Sequence, residues 1–251
     1  MPIARAPCLT SSASDRRAGS TPCGSLTRRS CLIAALGTAW GAGTHAGVHA
    51  QPAGASSEAP RWLAAWAVAE RDYRQQLVAP GLAIRPPRVL NDQTVRLRVM
   101  AGLGGSTWRV RLSNRWGLEP LRIDQATLAL STGGAAVSPR SVVPLSFGGQ
   151  SGLALAPGTT QWSDAVRLPA LAGQQLALSF HLARPFALGA GYPITREGGA
   201  GWLMPGEQCS QAQPRDAQPL DWAPALSGLD VQVGRDARLL VAFGDSLTAG
   251  T

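Results

Sequence analysis

Thr94-Val-Arg-Leu-Arg-Val-Met100, followed after Gly102-Leu-Gly-Gly-Ser106 by Trp108-Arg-Val-Arg-Leu112, decides how this chain is read. Apolar and charged residues alternate in both runs, the period of a strand with one buried and one wet face. The glycine-rich stretch between them is a turn signal, so the pair is expected to form an antiparallel hairpin.

The same grammar extends outward. Leu121 to Leu130, Val142 to Phe147, Ala165 to Leu168 and Leu176 to Leu182 are further short strands. Thr132-Gly-Gly, Phe147-Gly-Gly-Gln and Ala156-Pro-Gly-Thr separate them as turns. Trp62, Ala64, Trp66 and Val68 alternate as in a strand, although a helix would also place Trp62 and Trp66 on one face. Arg71 to Asn91 is an irregular connection. Residues 184–224 lose the alternation and gain Gly, Pro and Trp, and are read as long loops. Leu226 to Val233 is the last strand. Many short strands with frequent turns specify a mainly β fold, an N-terminal β-sandwich or jelly-roll-like domain over residues 61–235.

Composition agrees with a packed protein. Apolar residues make up 45% of the 251 and charged residues 15%, with 29 Gly and 19 Pro to supply turns. All 23 basic residues are Arg, and the formal net charge is +8. The Arg are dispersed with no basic run, which argues against nucleic acid as a partner.

Residues 1–50 have the order of an export signal. Arg28-Arg29 precede the apolar stretch Cys31 to Trp40, small residues follow, and Val48-His-Ala50 is a cleavage site of the A-x-A kind. Thr27-Arg-Arg-Ser30 resembles a twin-arginine signal, with the general secretory route as the alternative. The apolar stretch is too short for a stable membrane anchor. Residues 51–60 form a Pro/Ala/Ser linker, and the expected location is periplasmic or secreted. Cys8, Cys23 and Cys31 fall in the leader. Cys209 is left as a free thiol or as one half of a disulfide whose partner lies beyond Thr251. No Cys/His cluster has the spacing of a metal site.

The chain changes character near Asp236. Arg238-Leu-Leu-Val-Ala-Phe243 is nearly unbroken apolar sequence, typical of a strand buried on both faces of an α/β sheet. Gly244-Asp-Ser-Leu247 follows directly. A serine at the end of such a strand is exposed on a rigid backbone, where open α/β sheets place their active sites. The Ser246 amide, if it opens a helix, would face a developing oxyanion. The alternative is a strand-to-turn corner in which Asp245 or Ser246 caps a helix.

Leu240-Val-Ala-Phe-Gly-Asp-Ser-Leu-Thr-Ala-Gly250 resembles the first sequence block of the GDSL/SGNH hydrolases. Gly104 to Ile123, the Trp62/Trp66 start and Val143-Pro-Leu-Ser-Phe-Gly-Gly149 are similar to the β-rich N-terminal region of a bacterial subgroup of these esterases. The resemblance covers roughly residues 61–251. It implies that Ser246 attacks an ester carbonyl, forms an acyl-enzyme and supplies one oxyanion donor from its backbone N–H. It also implies a flavodoxin-like catalytic domain of which residues 236–251 are the first strand, with no metal or organic cofactor. The family's other oxyanion donors and its Asp-x-x-His would lie beyond Thr251, so these 251 residues alone are expected to be inactive. Acetylated polysaccharide and small or lipid esters are the substrate classes the resemblance suggests. Asp245 has a local structural role.

His181, the one histidine after the leader, sits in a strand and reads as a sheet-face residue rather than a general base. Asp230 and Asp236 read as strand-end and turn residues rather than a glycosidase pair. Trp62, Trp66, Trp108, Trp116, Trp162, Trp202 and Trp222 are mostly packing residues, and Trp202 and Trp222 are the candidates for a substrate wall. The competing function is a non-catalytic carbohydrate-binding or accessory β-sandwich module.

Overall fold

In the computed structural model, Gln93–Met100 and Gly105–Ser113 are strands, but they do not pair with each other. The structure describes residues 60–75, 88–194 and 200–240. The expected hairpin is replaced by a crossing from one sheet to the other. Tight two-residue hairpins need residues at positive φ, and none of Gly102, Gly104 and Gly105 adopts it. These glycines serve close approach instead: a Cβ on Gly104 would stand 2.8 Å from the Ala172 backbone nitrogen. Where positive φ does occur, at Gly133 (117°) and Gly134 (52°), the chain makes a true hairpin between Gln125–Gly133 and Ala136–Val137.

Two principal antiparallel sheets result. The larger has seven strands. Its order runs from Gln218–Leu220 through Ala200–Pro205, Gln93–Met100, Gln175–Leu182 and Gln125–Gly133 to Ala136–Val137, and Val143–Pro144 also pairs with Gln125–Gly133. The smaller has five. Arg61–Ala67 flanks Leu226–Val233, which flanks Gly105–Ser113; the latter takes Thr160–Trp162 on one half of its far side and Val166–Ala170 on the other. Arg61–Ala67 is therefore a strand, and Leu226–Val233 is interior to its sheet.

The inward faces share one core. Val95, Leu97, Val99, Leu128, Leu176, Leu178 and Phe180 come from the large sheet, and Trp108, Val110, Leu112, Leu229 and Val231 from the small one. Each contributes on the order of 1.5–3 kcal/mol by leaving water. Trp108 is fully buried, and its indole N–H donates to the Leu168 carbonyl at 2.6 Å, so this ring leaves no polar atom unmet. The chain is thus mainly β, with two sheets around a common interior as in a β-sandwich, and no α-helix occurs among the described residues.

Further readings of the sequence need correction. Residues 184–224 are not only loops. They include the strands Ala190–Pro193, Ala200–Pro205, Gln218–Leu220 and Trp222–Pro224, and Ala200–Pro205 lies inside the large sheet. Gly201 hides this strand from a hydropathy pattern, yet packing requires it: a Cβ there would meet Ile194 Cδ1 at 2.6 Å. Leu121 to Leu130 is two strands divided at Asp124. Leu121–Ile123 pairs with Leu153–Leu155, and Gln125–Gly133 joins the large sheet. Of Val142 to Phe147, only Val143–Pro144 is a strand.

Arg96 contradicts the wet-face expectation. It is 1% exposed because residues 206–212 cross the outer face of the large sheet as a third layer. Thr94 Oγ1 donates to Gly206 O and accepts from Gln208 N, and Val137 N donates to Ala212 O.

Arg238–Leu240 form no strand, and Leu239 and Leu240 are exposed, Leu240 at 92%. The buried strand expected from 238 onward is therefore absent over its first three residues. Its remainder, Ser246 and the whole leader lie outside the described residues. No helix among the described residues is long and apolar enough to cross a membrane.

Candidate functional site

The side chains that collect into a chemically distinctive surface lie on the outer face of the five-stranded sheet. Strand register places them. Trp62 pairs with Gln232, Ala64 with Asp230, Asp230 with Arg109, Gly228 with Arg111, and Arg111 with Trp162. Inward neighbours alternate with these residues, so all of them share the outer side.

Arg109 is the centre. Its Cζ stands 4.6 Å from the Trp62 ring centroid and 4.3 Å from that of Trp162, so the guanidinium is sandwiched between two indoles. Its Nε and a terminal nitrogen both donate to Asp230 Oδ2, at 3.1 and 2.7 Å. Arg111 extends the column, 5.4 Å from the Trp162 ring, and donates to Ser227 Oγ and O. A guanidinium is planar and weakly hydrated, which suits it to ring stacking where a lysine ammonium would stay in water. Gly228 lies beneath the column, where a Cβ would make only ordinary contact with the distal edge of Trp162, at 3.5 Å.

At the Arg111 end stands Glu70. Burial raises its carboxyl above the ordinary value, against the opposing effects of the Ser113 hydroxyl and of Arg111 and Arg115. Its Oε1 is buried without a hydrogen-bond partner among the described residues.

The residues singled out in the sequence fall elsewhere. Trp202 is half-buried on the outer face of the large sheet, with Arg98 5.2 Å from its ring. Trp222 is 4% exposed and meets Tyr73 edge-on at 5.2 Å, so it is a core residue and cannot wall a substrate in this arrangement. The two tryptophans belong to different sheets. His181 lies buried on the outer face of the large sheet, its Nε2 3.1 Å from Asp92 Oδ1. Asp230 is the Arg109 partner, and Asp236 is in a turn.

Cys209 is a buried free thiol whose ionisation is pushed up by burial and by neighbouring Glu207. No group of three or more His, Cys, Asp or Glu among the described residues could hold a metal ion. Trp62 and Trp162 were missed as a functional pair because they are distant in sequence, and only pairing through Gly105–Ser113 and Leu226–Val233 brings them to one arginine. The signal that could have found them is the alternation Trp108-Arg109-Val110-Arg111, which places both arginines opposite the core.

No family model matches the chain, and no curated protein matches it.

Proposed function

We propose that this protein is an exported serine carboxylic-ester hydrolase of the GDSL/SGNH type, with Ser246 as nucleophile. The observation that carries the reading is Gly244-Asp-Ser-Leu247 following directly after an apolar run and a β-sandwich-like domain. A serine hydroxyl needs a base to become nucleophilic. The reading takes its base from the family's Asp-x-x-His, which the described residues do not include; His181 is a sheet-face residue of the sandwich, in the strand Gln175–Leu182. The substrate class is an acetylated carbohydrate or a small ester, and the chemistry calls for no cofactor. The test is hydrolysis of an aryl acetate by the protein produced from its natural gene, beside its Ser246→Ala variant. Loss of turnover in the variant supports the proposal. Undiminished turnover in it, or none in the parent, removes Ser246 from the role.

A second reading is a carbohydrate-binding accessory module, and the Trp62–Arg109–Trp162 column favours it. Half-buried indoles beside a hydrogen-bonded arginine–aspartate pair are the chemistry that receives the C–H faces and hydroxyls of sugars.

A further inference from the structure

The outer face of the five-stranded sheet has a second axis that the Arg109 column does not use. Trp62 pairs with Gln232. One residue beyond the Val231–Trp108 pair, the antiparallel register brings Gln232 beside Thr107, and Thr107 pairs with Arg167. Trp62, Gln232, Thr107 and Arg167 therefore form a row across four strands. Gln232 and Thr107 are half-buried, while Arg167 is exposed and meets no carboxylate among the described residues.

The row has a chemistry and a length. At one end the Trp62 ring is contacted by one cation, Arg109, and by no second ring or cation among the described residues. In the middle, an amide and a hydroxyl can each donate and accept, as sugar hydroxyls require. At the other end Arg167 presents an uncompensated guanidinium, whose fork matches a carboxylate. Three interstrand spacings separate Trp62 from Arg167, about 14 Å at roughly 4.8 Å each. One sugar is too short to reach both ends, so the occupant is a chain of sugars. Charge decides which kind. Arg109 is neutralised by Asp230 and Arg111 lies near the Glu70 carboxyl, whereas Arg167 meets no carboxylate among the described residues and leaves its end of the row with an excess of positive charge. A neutral glycan would leave that excess unanswered, and a chain carrying carboxylates would meet it.

We infer that this outer face binds a uronate-bearing polysaccharide, with a sugar ring on Trp62, hydroxyls on Gln232 and Thr107, and a carboxylate on Arg167. The inference rests on the carbohydrate-binding reading and gives it a ligand class. It does not depend on Ser246.

The experiment is affinity electrophoresis of the full chain through native gels containing polygalacturonate, or the same polymer with its carboxylates methyl-esterified. Retardation by the acidic polymer is expected, with apparent affinity about tenfold weaker for the esterified one. Arg167→Ala, which removes an exposed side chain, is expected to weaken binding about fivefold or more, and Trp62→Ala likewise, with thermal unfolding run alongside to show that each variant is folded. Arg122→Ala/Arg184→Ala removes two exposed arginines from a cleft elsewhere on the sandwich and is expected to change nothing. Equal loss in that double variant would reduce the effect to diffuse charge attraction and overturn the proposal. Equal retardation by the esterified polymer would overturn the acidic ligand while leaving the carbohydrate-binding reading intact. No retardation by either polymer would overturn both, and aryl-acetate hydrolysis would still stand or fall separately.

Discussion

Arg96 Nε donates to Ser179 Oγ at 2.7 Å, between residues paired in register on neighbouring strands of the large sheet. No carboxylate joins them among the described residues. The remaining guanidinium donors are met by the carbonyls of Ala135, Gln208, Cys209 and Gln211. Burial pulls the Arg96 ionisation below its ordinary value, the cost of holding a cation with dipoles alone. The arrangement ties residues 206–212 to the sheet, so a buried charge serves as the clasp of a third layer.

Arg96→Ala is accordingly expected to lower stability by about 3 kcal/mol or more, because several buried carbonyls lose their donor together. Arg96→Lys keeps the charge but lacks the planar fork, and should recover only part of the loss. Urea unfolding measures both. A change below about 0.5 kcal/mol for the alanine variant, the range of an ordinary surface substitution, would contradict the clasp.

Cys209 is predicted to be chemically inert in the folded protein. Thiolate is the reactive form, and burial together with Glu207 disfavours it. Peptide-resolved alkylation at mildly alkaline pH should modify Cys209 only as fast as the protein opens. Rapid labelling without denaturant would show that residues 206–212 do not hold the thiol against the sheet.

Asp164 sets part of the acid limb of stability. It accepts from the Ser146 hydroxyl and from the Gly149 and Gly148 amides, and these bonds hold its carboxyl below the ordinary range, the hydroxyl most strongly. A depressed folded-state value means a contribution complete above the ordinary aspartate range and lost as pH falls through the folded value. Asp164→Asn should therefore reduce stability at neutral pH and flatten its decline in acid. Parallel pH–stability curves for parent and variant would refute this.

Asp230→Ala strips Arg109 of its carboxylate while leaving the guanidinium between two indoles. A loss of about 1–2 kcal/mol is expected, since the aspartate side chain is 12% exposed and the arginine's 28%, which limits solvent screening. Trp162 fluorescence should shift as the column loosens. Trp162→Ala made together with Asp230→Ala should fall short of the sum of the single losses, because both act on Arg109. Strict additivity would show that the column is not one unit.

Much of the secondary structure was legible from alternation. Gln175–Leu182 and Leu226–Val233 sit where their hydropathy pattern put them, and Gly133-Gly134 is a turn as its composition implied, although the strand it leads into, Ala136–Val137, was not expected. Pairing was not legible. Alternation says which side chains share a face but not which strand lies alongside, and the glycines after Met100 read as a hairpin turn when they are a crossing. Nor did pattern locate the candidate site. Trp202 and Trp222 stood out by sitting in a glycine- and proline-rich segment, whereas Trp62 and Trp162 read as packing residues.

By itself the sequence determined that this protein is built of short strands, that Trp108, Val110 and Leu112 face inward while Arg109 and Arg111 face away, and that Ser246 stands in a Gly-Asp-Ser-Leu context. These are local properties, fixed by the two-residue period of a strand and by residue type. Only the tertiary structure decided that Arg96, identical in pattern to Arg98, is buried under a third layer, and that residues 62, 109, 162 and 230 meet on one face. Such contacts join residues far apart along the chain, and they follow from sheet order and register, which no local period encodes.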